Sequence, residues 1–157
     1  MVWNSKNLEI NYLKFISDYL FSRLQSDKKF GGVLVSPQKT ILVIEDDAEL
    51  RDIIGRVLSG QGYFVMVAAS GATARSLLSD FGGEIDILLS DVILPDCRGR
   101  EIAGEIRESH PSCKVLFMSG YLDLDPKDNP EMDSGSFLQK PFTIFTLARK
   151  IREILDE

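Results

Sequence analysis

Asp86-Ile87-Leu88-Leu89-Ser90-Asp91-Val92-Ile93-Leu94-Pro95-Asp96 is the stretch around which the chain is organised. Ile87, Leu88 and Leu89 form a continuous apolar run, the pattern of a strand covered on both faces of a parallel sheet. Pro95 stops regular structure soon after. Asp91 is therefore expected where a buried strand, read over Ile85 to Ser90, emerges into a loop. In open α/β sheets ligands bind at that carboxyl end. Taken alone, Asp91 could equally cap a turn.

Its surroundings favour the first option. Upstream, Thr40 to Glu45 reads as a β-branched apolar strand, Asp47 to Ser59 as a helix ended by Gly60 and Gly62, and Tyr63 to Ala68 as a second strand. Gly71 to Asp80 reads as a second helix, and Gly82-Gly83 turns the chain. Downstream come a helix over Gly99 to Ser109, a strand over Lys114 to Met118, a short strand over Ser136 to Gln139 and an amphipathic helix over Thr143 to Leu155. Repeated strand–helix units imply a doubly wound α/β fold, a parallel sheet with helices on both faces and right-handed crossovers. Leu122 to Gly135 breaks the rhythm. It holds Pro126, Pro130 and several aspartates, and is expected to be a loop with at most one helical turn.

Before the first strand, Ser5 to Ser26 reads as a helix with Leu8, Tyr12, Phe15, Ile16, Tyr19 and Leu20 on one face. Either it covers its own domain or it serves as a dimerisation or docking helix. Lys28 to Gln38 reads as a linker, broken by Gly31-Gly32 and Pro37. The expected organisation is thus residues 1–38 as helix and linker, and 39–157 as one α/β domain.

Composition narrows the function. With 157 residues and 44% hydrophobic content the chain can build a true core. Its formal net charge of -6 is uneven. Through Gln38 there are five Lys/Arg against three Asp/Glu; the remainder has thirteen against twenty-one. An acidic main body argues against a nucleic-acid surface. No apolar run reaches membrane-spanning length, and charged residues interrupt any signal-peptide core, so a cytoplasmic protein is expected. Cys97 and Cys113 lack metal-ligand spacing and are expected to pack as ordinary side chains in a reducing compartment. His110, the single histidine, precedes Pro111 and is expected at the surface at a helix end. One histidine leaves no room for histidine metal clusters or Ser-His-Asp catalysis.

Four strand ends would deliver polar groups to one edge of the sheet. These are Glu45 and Asp46 from the first, Asp91 from the third, Ser119 from the fourth, and Lys140 before Pro141 from the fifth. Three carboxylates brought together repel and need a counter-charge. A hard divalent cation such as Mg²⁺ answers that. With an ammonium and a hydroxyl added, the set suits phosphoryl chemistry with a carboxylate as nucleophile.

In this order and spacing the residues resemble the receiver domain of two-component response regulators, over about Lys39 to Asp156. The segments from Met118 to Tyr121 and from Leu138 to Phe142 are most similar to receivers of hybrid sensor histidine kinases. The resemblance implies a flavodoxin-like five-stranded sheet of order 2-1-3-4-5. It makes Asp91 the phosphoacceptor and Glu45 and Asp46 the acidic pair, with Asp46 a direct Mg²⁺ ligand and Asp47 a helix N-cap. Asp91 and the main-chain carbonyl of Ile93 complete the metal ligands, Ser119 is the switch hydroxyl and Lys140 contacts the phosphoryl group. Phe137 takes the switch aromatic position; Ile93 and Tyr121 flank water access. Implied partners are a histidine kinase or phosphotransfer protein and a downstream protein, with no nucleic acid or membrane, and a homodimer through the N-terminal helix as an option. Such a domain catalyses only its own aspartyl phosphorylation and dephosphorylation.

Against the family pattern, the N-terminal helix is an addition and the helix between the fourth and fifth strands is weakly encoded. No effector domain is expected after the last helix. The alternative is an interaction module that keeps the fold and works without phosphorylation. An aspartyl phosphohydrolase would want a second Asp two positions after the nucleophile, where Ile93 stands. No Gly-x-Gly-x-x-Gly follows the first strand, which removes a dinucleotide site.

Overall fold

A computed structural model describes residues 38–120 and 137–156. The helix over Ser5 to Ser26, the linker up to Pro37, the loop over Leu122 to Gly135, and Tyr121 and Ser136 lie outside the described residues. The elements run β1 (Thr40–Ile44), α1 (Ala48–Gly60), β2 (Phe64–Ala68), α2 (Gly71–Asp80), β3 (Ile87–Asp91), α3 (Gly99–Ser109), β4 (Lys114–Ser119), β5 (Phe137–Gln139) and α4 (Ile144–Asp156). All strands are parallel and their order is 2-1-3-4-5.

α1 and α2 start where the chain supplies a side-chain acceptor for their free amides. Asp47 takes the Leu50 N–H at 2.8 Å, as expected of an N-cap. Ser70 takes that of Thr73 at 3.2 Å. α1 ends at Gly60. The N–H of Gln61 bonds back to the carbonyls of Val57 and Leu58, and Gly62 follows at φ 91°. That left-handed conformation is why the glycine is there.

β1 and β3 are buried on both faces, which explains their apolar runs. Ile41, Val43, Ile87, Leu89, Leu116 and Met118 point to one side, where Ile54 and Leu58 of α1 and Leu147 and Ile151 of α4 complete the core. The alternate residues face the other side. There the buried Ala74 of α2 and Ile102, Ala103 and Ile106 of α3 supply the second layer.

The bounds of β1, α1, β2 and α4 differ from the sequence reading by one residue, and those of β3 and β4 differ at the ends that face the loops. β3 starts at Ile87 and includes Asp91, whose backbone still pairs in register with Met118. β4 likewise runs on to Ser119. Ladder pairing with a neighbour, invisible in one strand's own sequence, carries the two strands on to Asp91 and Ser119. His110 does stand at a helix end, with its N–H on the Ile106 carbonyl at 2.7 Å. It is not a surface residue, however. Only 14% of its side chain is exposed, and Nδ1 lies 3.5 Å from Glu84 Oε2. Cys113 is buried and free, with its thiol pushed up to about 11 by burial. Among the described residues no helix is long and apolar enough to cross a membrane.

Candidate phosphoryl site

The strand order places the site. From β1 the chain steps outward to β2, then returns across β1 to β3 on its other side. Such a reversal opens a crevice at the carboxyl ends of β1 and β3. Glu45 follows β1 and Asp91 ends β3, so both project there. Glu45 is 1% exposed and Asp91 8%, whereas Asp46 is open to solvent. One carboxylate oxygen from each lies within 4.8 Å of the other two.

β5 brings the counter-charge. Lys140 follows it directly, and its backbone N–H bonds the Ser119 carbonyl at 2.7 Å. The ammonium then reaches Glu45 Oε2 and Asp91 Oδ2, each at 2.7 Å. Glu45 Oε1 takes the Asp47 N–H at 3.2 Å, so both Glu45 oxygens are engaged. Burial pushes the Glu45 carboxyl above its ordinary range, and the hydrogen bond from Lys140 only partly offsets this. Burial works against the Lys140 ammonium, but its bonds to Asp91 and Glu45 outweigh that and hold it above its usual range.

Ser119 is 1% exposed, and its hydroxyl donates to the Gly120 carbonyl at 3.0 Å. Phe137 is partly buried, its ring centroid 5.4 Å from that of Phe117. Ile93 is 44% exposed on the loop after Asp91.

Sequence reasoning passed over three residues that shape this edge. Arg51, on the first turn of α1, donates from Nη1 to the carbonyls of Glu45 at 2.7 Å and Asp46 at 3.1 Å. It pins the main chain of the acidic pair; a basic residue one helical turn after an N-cap was the available signal. Gly99 begins α3 against the end of β3. A Cβ there would lie 2.1 Å from the Asp91 carbonyl oxygen, so only glycine lets the backbones approach this closely. Asp96 bonds two backbone amides of α2, and no local pattern announces a contact across that distance in sequence.

Comparison with known proteins agrees with this geometry. The family model described as response regulator receiver domain matches residues 41–152. The chain belongs to that family. It is a receiver domain of two-component signalling. Its sequence is 37% identical over 124 residues to the sensor kinase CckA of Brucella abortus, covering 78% of this chain and 13% of that kinase. It is 31% identical to the response regulator receiver protein CpdR of the same organism, covering 74% of this chain and 97% of that protein. Among solved structures, the receiver domain of the hybrid histidine kinase CckA superposes with a TM-score of 0.60 at 31% identity, covering 74% of this chain and 98% of that one. Receivers as a family hold Mg²⁺ in an acidic pocket and work with histidine kinases or phosphotransfer proteins, and this chain has an acidic cluster of Glu45, Asp46 and Asp91.

Proposed function

We propose that this receiver accepts a phosphoryl group on Asp91 from a phosphohistidine of a histidine kinase or phosphotransfer protein, and changes its interaction surface in response. One observation carries this reading. A carboxylate at a strand end is held at 2.7 Å by a lysine while two further carboxylates crowd the same point.

The donor set suits Mg²⁺, a hard cation that prefers oxygen ligands. Both Glu45 oxygens already have partners, so Asp46, Asp91 and the Ile93 carbonyl would hold the ion. When bound, it supplies positive charge between these carboxylates and an anionic donor. Asp91 then attacks phosphorus through a carboxylate oxygen. The P–N bond to the donor imidazole breaks, and its electron pair stays on that nitrogen. Lys140 neutralises charge on the phosphoryl oxygens. Those oxygens offer Ser119 a stronger acceptor than the Gly120 carbonyl, so its hydroxyl turns inward and Phe137 repacks. Two packings of one surface are then biased by one covalent event.

In this reading residues 39–157 form the receiver, and residues 1–38 serve assembly or stability without entering the chemistry. Incubation with acetyl phosphate and Mg²⁺, followed by intact mass, tests the assignment. The wild type should gain one phosphoryl group and Asp91→Asn none. Equal gain in both removes Asp91 as acceptor, and no gain in the wild type favours a phosphorylation-independent module.

A further inference from the structure

The segment after Asp91 is a narrow hairpin. Its base is fixed by the Val92 N–H on the Met118 carbonyl at 3.0 Å and by the Gly99 N–H on the Val92 carbonyl at 2.9 Å. Ile93 pairs with Arg98 across it, and the Leu94 N–H closes onto the Cys97 carbonyl at 3.1 Å. Pro95 and Asp96 form its tip. From the tip, Asp96 reaches α2, where Oδ1 accepts the Gly71 N–H at 2.9 Å and Oδ2 the Ala72 N–H at 2.7 Å.

The first amides of a helix have no partner within it. In α2 three of them are satisfied from outside: Asp96 takes Gly71 and Ala72, and Ser70 takes Thr73. Packing keeps the contact close. A Cβ on Gly71 would lie 2.4 Å from Cys97 Sγ and 3.1 Å from Ile102 Cδ1. Further along, Arg75 of α2 grips Glu105 of α3 through two bonds of 2.8 Å. The hairpin is thus pinned at its base by the sheet and at its tip by α2. Ile93 lies between the pins, two residues after the acceptor.

We propose that Asp96 is a positioning residue for the Asp91 site, holding the hairpin against α2 so that the Ile93 carbonyl stays presented to a bound cation. The proposal rests on the reading of the site given above. Asp96 touches neither the ion nor the phosphoryl group in this scheme; it acts through the loop.

The test compares Asp96→Ala, Asp96→Asn and Ser70→Ala with the wild type. Ser70→Ala removes the other α2 cap but leaves the hairpin untouched, so it reports what capping alone does. Mg²⁺ affinity is read from amide shifts of Val92 and Ile93 in a titration with the metal alone. Asp96→Ala should weaken Mg²⁺ binding by about tenfold, the lower end of what losing a ligand-supporting group costs. Asp96→Asn, which keeps one carbonyl acceptor, should fall between, and Ser70→Ala should match the wild type. Amide exchange without metal should quicken at Val92 and Leu94, whose N–H groups hold the hairpin, in Asp96→Ala and not in Ser70→Ala. Unchanged affinity and exchange in Asp96→Ala, or equal losses in Asp96→Ala and Ser70→Ala, overturn the proposal. Failure of the wild type to gain a phosphoryl group overturns the reading of the site instead. If the wild type binds no Mg²⁺ either, the exchange comparison alone decides for or against Asp96.

Discussion

Lys140 Nζ lies 2.7 Å from Asp91 Oδ2 while bonding Glu45 Oε2 at the same distance. One ammonium from the fifth strand's end thereby neutralises charge at the ends of the first and third. Removing it strands the buried Glu45 carboxylate beside Asp91. Lys140→Met should lower unfolding free energy by about 2–3 kcal/mol, below the full effect of breaking a wholly buried pair because Lys140 keeps some contact with water. Mg²⁺ should recover part of that loss, since the same carboxylates regain a counter-charge. Urea unfolding with and without the metal checks both; unchanged stability in the variant would show that the ion pair is energetically idle.

Gly99→Ala and Gly104→Ala should move stability in opposite directions, although both lie in α3. A Cβ on Gly99 meets the Asp91 carbonyl oxygen at 2.1 Å and Ser90 Oγ at 2.9 Å, and backbone cannot step aside cheaply. A loss of about 2–4 kcal/mol is expected, in the range of forced overpacking or more. Gly104 has open space, and alanine there should stabilise by about 0.5–1 kcal/mol through helix propensity. Paired denaturant curves decide it, and a stabilised Gly99→Ala would refute the close approach of β3 and α3.

The Asp96 carboxyl is held below its ordinary range, first by the Gly71 N–H and then by that of Ala72. A depressed carboxyl contributes stability that is present above its unfolded value of about 3.9 and is lost as pH falls through the lower folded value. The melting temperatures of wild type and Asp96→Ala should therefore differ at neutral pH and converge as pH falls through the lowered folded value. A gap that stays constant down the acid limb would mean that the charge of Asp96 contributes nothing.

Ile93 is 44% exposed on the hairpin beside the acceptor. Water must approach phosphorus in line with the bond that breaks, and an apolar side chain there cannot hold a water by hydrogen bonding. Ile93→Asn should shorten the lifetime of phosphorylated Asp91. Phosphate release after removal of the donor measures it; equal or slower release would show that Ile93 does not limit access. Tyr121→Ala, at the other expected access position, gives the companion measurement.

Periodicity and punctuation alone settled much. α2 and α3 run over the spans that their helical patterns indicate, and the apolar runs of β1 and β3 announce strands covered on both faces. That Glu45, Asp46, Asp91, Ser119 and Lys140 gather at one edge was legible because each follows or ends a strand, and parallel strands deliver their carboxyl ends to one edge. Tertiary structure decided what depends on partners far along the chain. Pairing with Met118 carries β3 through Asp91, and folding leaves the His110 side chain only 14% exposed. The positions of Arg51, Gly99 and Asp96 around the site were likewise set by folding. The physical reason is the same in each case. Hydrophobic period and turn chemistry are local properties, readable from neighbours in sequence. A hydrogen bond from the tip of one loop to the first amides of another helix exists only after the sheet has brought the two together.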